Sequence, residues 1–409
     1  MSSIGNVEIR TITAAELPAF ARQLTRAFGG DPLPKEDEYD FRKVLDLDRV
    51  FAAFDGDQIV GTCAATSLDL TVPGGVMPMG GTTMISVQPT HRRRGILRAM
   101  MREHIEEVRG RGEALAGLWC SESSIYGQFG FGSAAELCEM NANADKVDFL
   151  GEPPERKLRS VEPDEARKIF PAVYERVSAE RPGMFGRSAG WWQANTFRDV
   201  ESEREGRSAK RFLLCEGASG AEGYAIYQQR EKWTDFPAGE IHVVELFGAT
   251  SEAREALWRM LMNIDLFPSV TFWNMAVDDE LAWRVAEPRR VQRKIMDSLW
   301  LRLLDIPRAL SGRAYSASGR CVLGIRDPFL PENDGNYELI TSVDAAECQR
   351  TQSEPDIQCE VDALGSLFLG GHRATTLARG GRIAGERESL ELLDRMFAWS
   401  PLPWCPEVF

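Results

Sequence analysis

Thr82 to Glu103, TTMISVQPTHRRRGILRAMMRE, reads as a strand, a tight basic loop and a helix. Met84, Ile85 and Val87 are strand-forming apolar residues, and Pro89 ends the strand because its ring nitrogen has no proton to give a ladder. Arg92, Arg93, Arg94 and Gly95 make the turn, after which Ile96, Leu97, Met100 and Met101 recur at helical spacing. A glycine-containing loop that feeds backbone N–H groups into a helix N-terminus is a ready anion site. The guanidiniums add planar forks of donors that suit phosphate. Locally the stretch predicts a pyrophosphate cradle. An arginine run on its own also fits a solvated face or a nucleic-acid patch, so the rest of the chain has to decide.

Composition argues against nucleic acid. Lys and Arg total 48 against 62 Asp and Glu, giving a formal charge of −14 in 409 residues, and a protein built to hold polyphosphate carries the opposite balance. The surplus favours cationic partners without proving them. The length predicts about two to four domains, and 43% hydrophobic with 27% charged residues is ordinary for a globular chain. Eight cysteines include no Cys-x-x-Cys pair, and the four histidines, 91, 104, 242 and 372, are scattered. No zinc template fits, no metal is expected, and the thiols read as reduced core residues. The N-terminus has no apolar signal core and no window approaches about 18 uninterrupted apolar residues, so the expectation is a cytoplasmic protein without a transmembrane segment.

Residues 7–12 alternate like a strand, and Ala14 to Phe28 follow helical spacing until Gly29 and Gly30. Asp31 to Asp40 holds five acidic residues and reads as a loop or short helix beside a site, or as a solvated connector. Asp55-Gly56-Asp57 is a hairpin turn between two apolar runs, with Gly61 marking a bulge. Three antiparallel strands thus lead into the cradle helix, and Ala114 to Cys120 forms a buried strand after it. Gly151 to Glu155 is a linker. From Leu158 the order of hairpin, strand and helix repeats, but Gly248-Ala249-Thr250-Ser251-Glu252 stands where the basic loop would be. Ser251 reads as a helix cap, and Glu252 in the first turn would repel pyrophosphate. After Pro288 a strand-rich unit begins with the strand and short helix of WLRLLDIPRALSGRAY.

Val87-x-Pro89-x-x-Arg92-x-x-Gly95 resembles the signature of the GNAT N-acetyltransferases, whose Arg/Gln-x-x-Gly-x-Gly/Ala loop holds the coenzyme A pyrophosphate. Leu97 replaces the second small residue. Together with Ser121-Glu122-x-x-Ile125-Tyr126-Gly127-x-Phe129-Gly130, and with Asp-x-Phe-x-Pro-x-Asn-x-Gly and Leu-Gly-x-Leu-x-Leu-Gly-Gly near the end, the whole chain resembles the actinobacterial Eis (enhanced intracellular survival) N-acetyltransferases. That resemblance implies an α/β (α+β) fold of tandem GNAT-like mixed sheets with flanking helices, plus a sterol-carrier-like α+β domain. Residues 1–150 would be the catalytic domain, 157–290 a second GNAT-like domain without a coenzyme site, and 291–409 the sterol-carrier-like domain whose end reaches the active site. The implied activity is acetyl-CoA-dependent acetylation of amines, on aminoglycosides or lysine side chains, by a homohexamer.

Acetyl transfer to an amine needs the thioester held, its oxyanion stabilised, and protons moved from nitrogen and to the thiolate. By resemblance, the backbone of Ile85, Ser86 and Val87 would bind the pantetheine arm and carbonyl. Arg93, Arg94, Gly95, Ile96, Leu97 and Arg98 would bind the pyrophosphate, and Ser121 and Glu122 would flank the coenzyme. Tyr126 would be the general acid, since a phenol near pKa 10 stays protonated at neutral pH. Gly127, Gly130 and Gly132 would let the backbone approach the ligand. The α-carboxylate of Phe409 would be the general base, in a Pro-stiffened apolar tail unlike a frayed terminus. Two rival readings are Cys120 as a nucleophile, for which no histidine sits at a recognisable spacing, and a coenzyme-binding regulator built on the same fold.

Overall fold

A computed structural model describes residues 2–30, 43–342 and 345–409. The acidic stretch Asp31 to Asp40 lies outside the described residues. Two compact units divide the chain: residues 1–135 with 298–409, and residues 136–297.

In the first unit β1 (Ser2–Ile4), β2 (Val7–Thr11), β3 (Val50–Asp55), β4 (Gln58–Val72) and β5 (Gly75–Val87) pair antiparallel in succession. Helix α1 (Leu17–Ala27) buries Leu17 and Phe20. Helix α2 (Ile96–Gly110) buries Ile96, Met100, Met101, His104, Ile105 and Val108 at the three- and four-residue spacing of one helical face. It leads to β6 (Leu115–Trp119), parallel to β5, then to α3 (Ser123–Tyr126) and β7 (Gly132–Ser133).

The second unit holds β8 (Glu136–Asn143), β9 (Lys157–Val161), α4 (Pro163–Ser178), α5 (Ala189–Trp191), β10 (Arg211–Gly217), β11 (Gly220–Arg230), β12 (Glu240–Gly248), α6 (Ser251–Met262), β13 (Ser269–Met275), α7 (Leu281–Arg284) and β14 (Val291–Asp297). Its seven described strands run in the order β14-β8-β13-β12-β11-β10-β9. The core behind them includes Cys138, Met140, Leu257, Trp258 and Phe272.

The chain then re-enters the first unit with β15 (Leu299–Leu303), α8 (Ile306–Ser311), β16 (Gly319–Arg326), β17 (Gly335–Thr341), β18 (Ala346–Thr351), β19 (Ile357–Glu360), α9 (Val361–Phe368), α10 (Ala374–Arg379), β20 (Ile383–Gly385) and α11 (Arg387–Phe397). Among the described residues this unit has an eight-stranded sheet, β1-β2-β3-β4-β5-β6-β15-β7, and a five-stranded sheet, β18-β17-β16-β19-β20. The three mixed sheets with flanking helices make the fold α+β.

The strand boundaries differ from the sequence reading at two places. β8, assigned there to the end of the first domain, is hydrogen-bonded between β13 and β14, and it turns Cys138, Met140 and Ala142 into the second core. β15, assigned to the third domain, lies between β6 and β7, paired from Leu299↔Trp119 to Leu303↔Leu115. Leu299, Leu301 and Leu303 are fully buried, and β15 satisfies the backbone edge that β6 would otherwise expose. The eight cysteines are free thiols. No helix among the described residues is long and apolar enough to cross a membrane.

Candidate active site

The site begins with a fault in the β4–β5 ladder. Thr62 pairs with Ser86 and Ala64 with Thr83, so Met84 and Ile85 together face the single residue Cys63. This is a β-bulge, which bends its strand and frees backbone groups from the ladder. Met84 takes a left-handed φ of 54° there, and the Thr62 hydroxyl donates to its carbonyl at 2.7 Å. On the other side, β5 pairs with β6 only from Met79 to Gly81. Beyond Gly81 the two strands part.

The cradle loop closes the parted end. Pro89–His91 form a single 3₁₀ turn. Arg93 and Gly95 then adopt left-handed φ values of 62° and 81°, a strained state for arginine and an easy one for glycine. Gly95 is the N-cap of α2, no side chain caps that end, and no acidic residue occupies its first turn. The first-turn N–H groups are therefore available to an anion.

Strand, loop and the Tyr126 segment line one cavity of about 880 Å³. Of the residues predicted for the site, Ile85, Ser86, Val87, Arg93, Gly95, Ile96, Leu97, Arg98, Ser121, Glu122 and Tyr126 line it. Arg94 and Phe409 do not. Phe409 instead lies against Gly81, the last paired residue before the strands part, where an added Cβ would stand 3.1 Å from its ring. Open donors, guanidiniums and a strand edge in one cleft fit a pyrophosphate-bearing pantetheine thioester.

Tyr126 is 6% exposed, and burial pushes its phenol up to about 12. Its ring stands edge-on to Phe131. Cys120 packs, partly buried, against the same cluster. The sequence reading missed what braces this segment. Arg302 on β15 donates to the carbonyl of Phe129 and, at 2.6 Å, to Asp327, with both side chains of that ion pair wholly buried. Asp327 also accepts from the backbone N–H groups of Phe329 and Leu330 and from Asn333. Phe329 packs edge-on to Phe129 and lies under the guanidinium of Arg98. The Asp-x-Phe-x-Pro-x-Asn motif was visible in the sequence, but its partner was not.

Two glycines serve a different purpose from the one expected. A Cβ at Gly130 would meet the Arg302 guanidinium, and one at Gly132 would meet the Asp362 carbonyl of α9. They make room for protein, not for a ligand.

Residues 8–134 and 183–303 each match an acetyltransferase (GNAT) domain, and 306–406 match a sterol carrier protein domain. An uncharacterized N-acetyltransferase of Streptomyces avermitilis is 34% identical over 408 residues, 98% of this chain and 99% of that protein. The N-acetyltransferase Eis of Mycobacterium tuberculosis is 33% identical over 355 residues, 84% of each chain. The chain belongs to the Eis family. The crystal structure of Eis1 from Mycobacterium abscessus superposes with a TM-score of 0.85 at 29% identity, covering 98% of this chain and all of that one. This Eis-family protein is therefore a GNAT acyltransferase, and its chemistry is acetyl-CoA-dependent N-acetylation.

Its second sheet repeats the strand–helix junction with different chemistry. Parallel pairing of β12 with β13 stops at Val243, as that of β5 with β6 stops at Gly81. The cap of α6 is Thr250, whose hydroxyl accepts from Ala253 N–H at 3.1 Å, and not Ser251 as expected. Ser251 instead donates its hydroxyl to Glu280, which Arg254 also holds at 2.6 Å. A carboxylate of the chain's own thus takes the Ser251 hydroxyl and the Arg254 guanidinium at that helix end.

Proposed function

We propose that this enzyme acetylates amines of cationic substrates, aminoglycosides or lysine side chains, and does so in the first unit alone. The observation that carries the reading is the single cavity joining the bulged strand, the open end of α2 and Tyr126. Arg93 and Arg98 with the N–H groups after Gly95 hold pyrophosphate, and the backbone of Ile85, Ser86 and Val87 holds the thioester. Tyr126 gives its proton to the leaving thiolate. The Phe409 carboxylate takes the amine's proton, directly or through water, and the ring packed on Gly81 supports that placement of the chain end. The net charge of −14 suits a cationic acceptor. Glu280 at the α6 terminus supports a second unit that holds no coenzyme. Membership of the family supports a cytoplasmic homohexamer.

A screen of aminoglycosides and lysine peptides at fixed acetyl-CoA, read by thiol release, tests the substrate class. Release with neither class would overturn it, and binding without turnover on any amine would favour a regulator. Calorimetry should count one acetyl-CoA per chain.

A further inference from the structure

His91 was one of four scattered histidines with no role in the sequence. In the structure it stands at the entrance to the cradle loop with both ring nitrogens engaged. Nε2 lies 3.1 Å from Asp55 Oδ2, and Nδ1 lies 2.8 Å from Thr90 Oγ1. The ring is 12% exposed although the loop beyond it is open to solvent. Asp55 is the last residue of β3, paired with Gln58 of β4, so the contact fastens the loop to that hairpin. It is one of three such fastenings. Gln88 N–H donates to Val60 O at 2.8 Å, and Gln58 Nε2 donates to Gln88 Oε1 at 3.2 Å. Two residues past His91 the chain enters the left-handed conformation of Arg93. For a non-glycine residue that conformation is strained and persists only where its surroundings hold it. Among the described residues Arg93 has no ion pair to hold it.

We infer that His91, tied to Asp55, is a positioning residue for the coenzyme site: it holds the loop in the conformation that aims Arg93 and the α2 N–H groups at pyrophosphate. An ionised carboxylate only accepts, so Nε2 carries the proton and Nδ1 accepts from the Thr90 hydroxyl.

This inference rests on the acetyl-CoA reading above, and the test separates the two. His91→Ala and Asp55→Ala should each raise KM for acetyl-CoA about fivefold to tenfold, the loss expected when a preorganised loop is released. KM for the amine and kcat should stay at wild-type values. With S-acetyl-pantetheine, which lacks the pyrophosphate, both variants should match wild type. His91→Gln, whose amide nitrogen reaches the place of Nε2, should recover most of the loss, and the double alanine variant should be no worse than either single one. Asp55 has a half-exposed side chain outside the core, so its substitution stands in if His91→Ala folds poorly. A wild-type KM for acetyl-CoA in Asp55→Ala, or equal losses with S-acetyl-pantetheine, would overturn the positioning role. A wild-type enzyme that never uses acetyl-CoA would overturn the reading beneath it.

Discussion

The ring of Phe409 packs on Gly81: a methyl group there would stand 3.1 Å from Phe409 Cδ2 and 2.3 Å from Thr66 Oγ1. Phe409 thus lies against the rung after which β5 and β6 separate.

One residue appended after Phe409 moves the α-carboxylate without deleting the ring. Turnover should fall by about 10²-fold or more, as for loss of a general base, while acetyl-CoA affinity and Tm stay near wild type. A C-terminally tagged enzyme of full activity contradicts the proposed base.

Arg93 lines the cavity and Arg94 does not. Arg93→Ala should raise KM for acetyl-CoA by about tenfold or more, since a charge-assisted phosphate contact contributes roughly 1.5–3 kcal/mol. Arg94→Ala acts only through screened charge and should change KM little at physiological salt. Equal effects in steady-state kinetics would show that the loop closes differently when loaded.

Tyr126→Phe should fold and bind acetyl-CoA but lose turnover by about 10²–10⁴. Because burial pushes the phenol up to about 12, it stays protonated well into alkaline solution. An alkaline fall in turnover below pH of about 10 therefore belongs to another group and should survive this substitution's residual activity.

Arg302→Met leaves Asp327 buried without its cation. The cost should be about 3–5 kcal/mol, read by chemical denaturation, and Arg302→Met with Asp327→Leu should recover much of it. An unchanged midpoint for the single variant would mean that water reaches the pair.

His104 is wholly buried on α2, with Nε2 2.6 Å from Thr82 Oγ1. Burial lowers its pKa from 6.5 to about 3. Below the unfolded pKa the unfolded chain takes a proton that the native ring refuses, so stability falls as pH drops. The slope approaches about 1.4 kcal/mol per pH unit until the folded pKa is reached. His104→Gln should flatten that acid limb in denaturation curves measured across the range.

The cradle could be read from sequence because every part of it is local. A strand, a proline, a glycine in left-handed conformation and a helix face sit within Thr82 to Glu103. The bulge at Met84 and Ile85 was not legible, because it depends on register against β4. Nor was Arg302, whose carbonyl partner on Phe129 is 173 residues away, or the reach of β15 into the first sheet. The roles of Gly130 and Gly132 were misread for the same reason: φ and crowding depend on what packs against them, and here that is Arg302 and α9. Thr250 and Ser251 both satisfy the pattern of a helix cap, and only the position of Glu280 decides between them.

Glu280 makes the start of α6 a contested site. A tethered carboxylate competes with a dissolved anion at the effective concentration its tether sets, and this one already holds the Ser251 hydroxyl and the Arg254 guanidinium. Replacing Glu280 alone leaves Arg254 without that acid partner. An anion arriving at α6 would have to win those donors from the chain, a contest that the uncapped start of α2 does not impose.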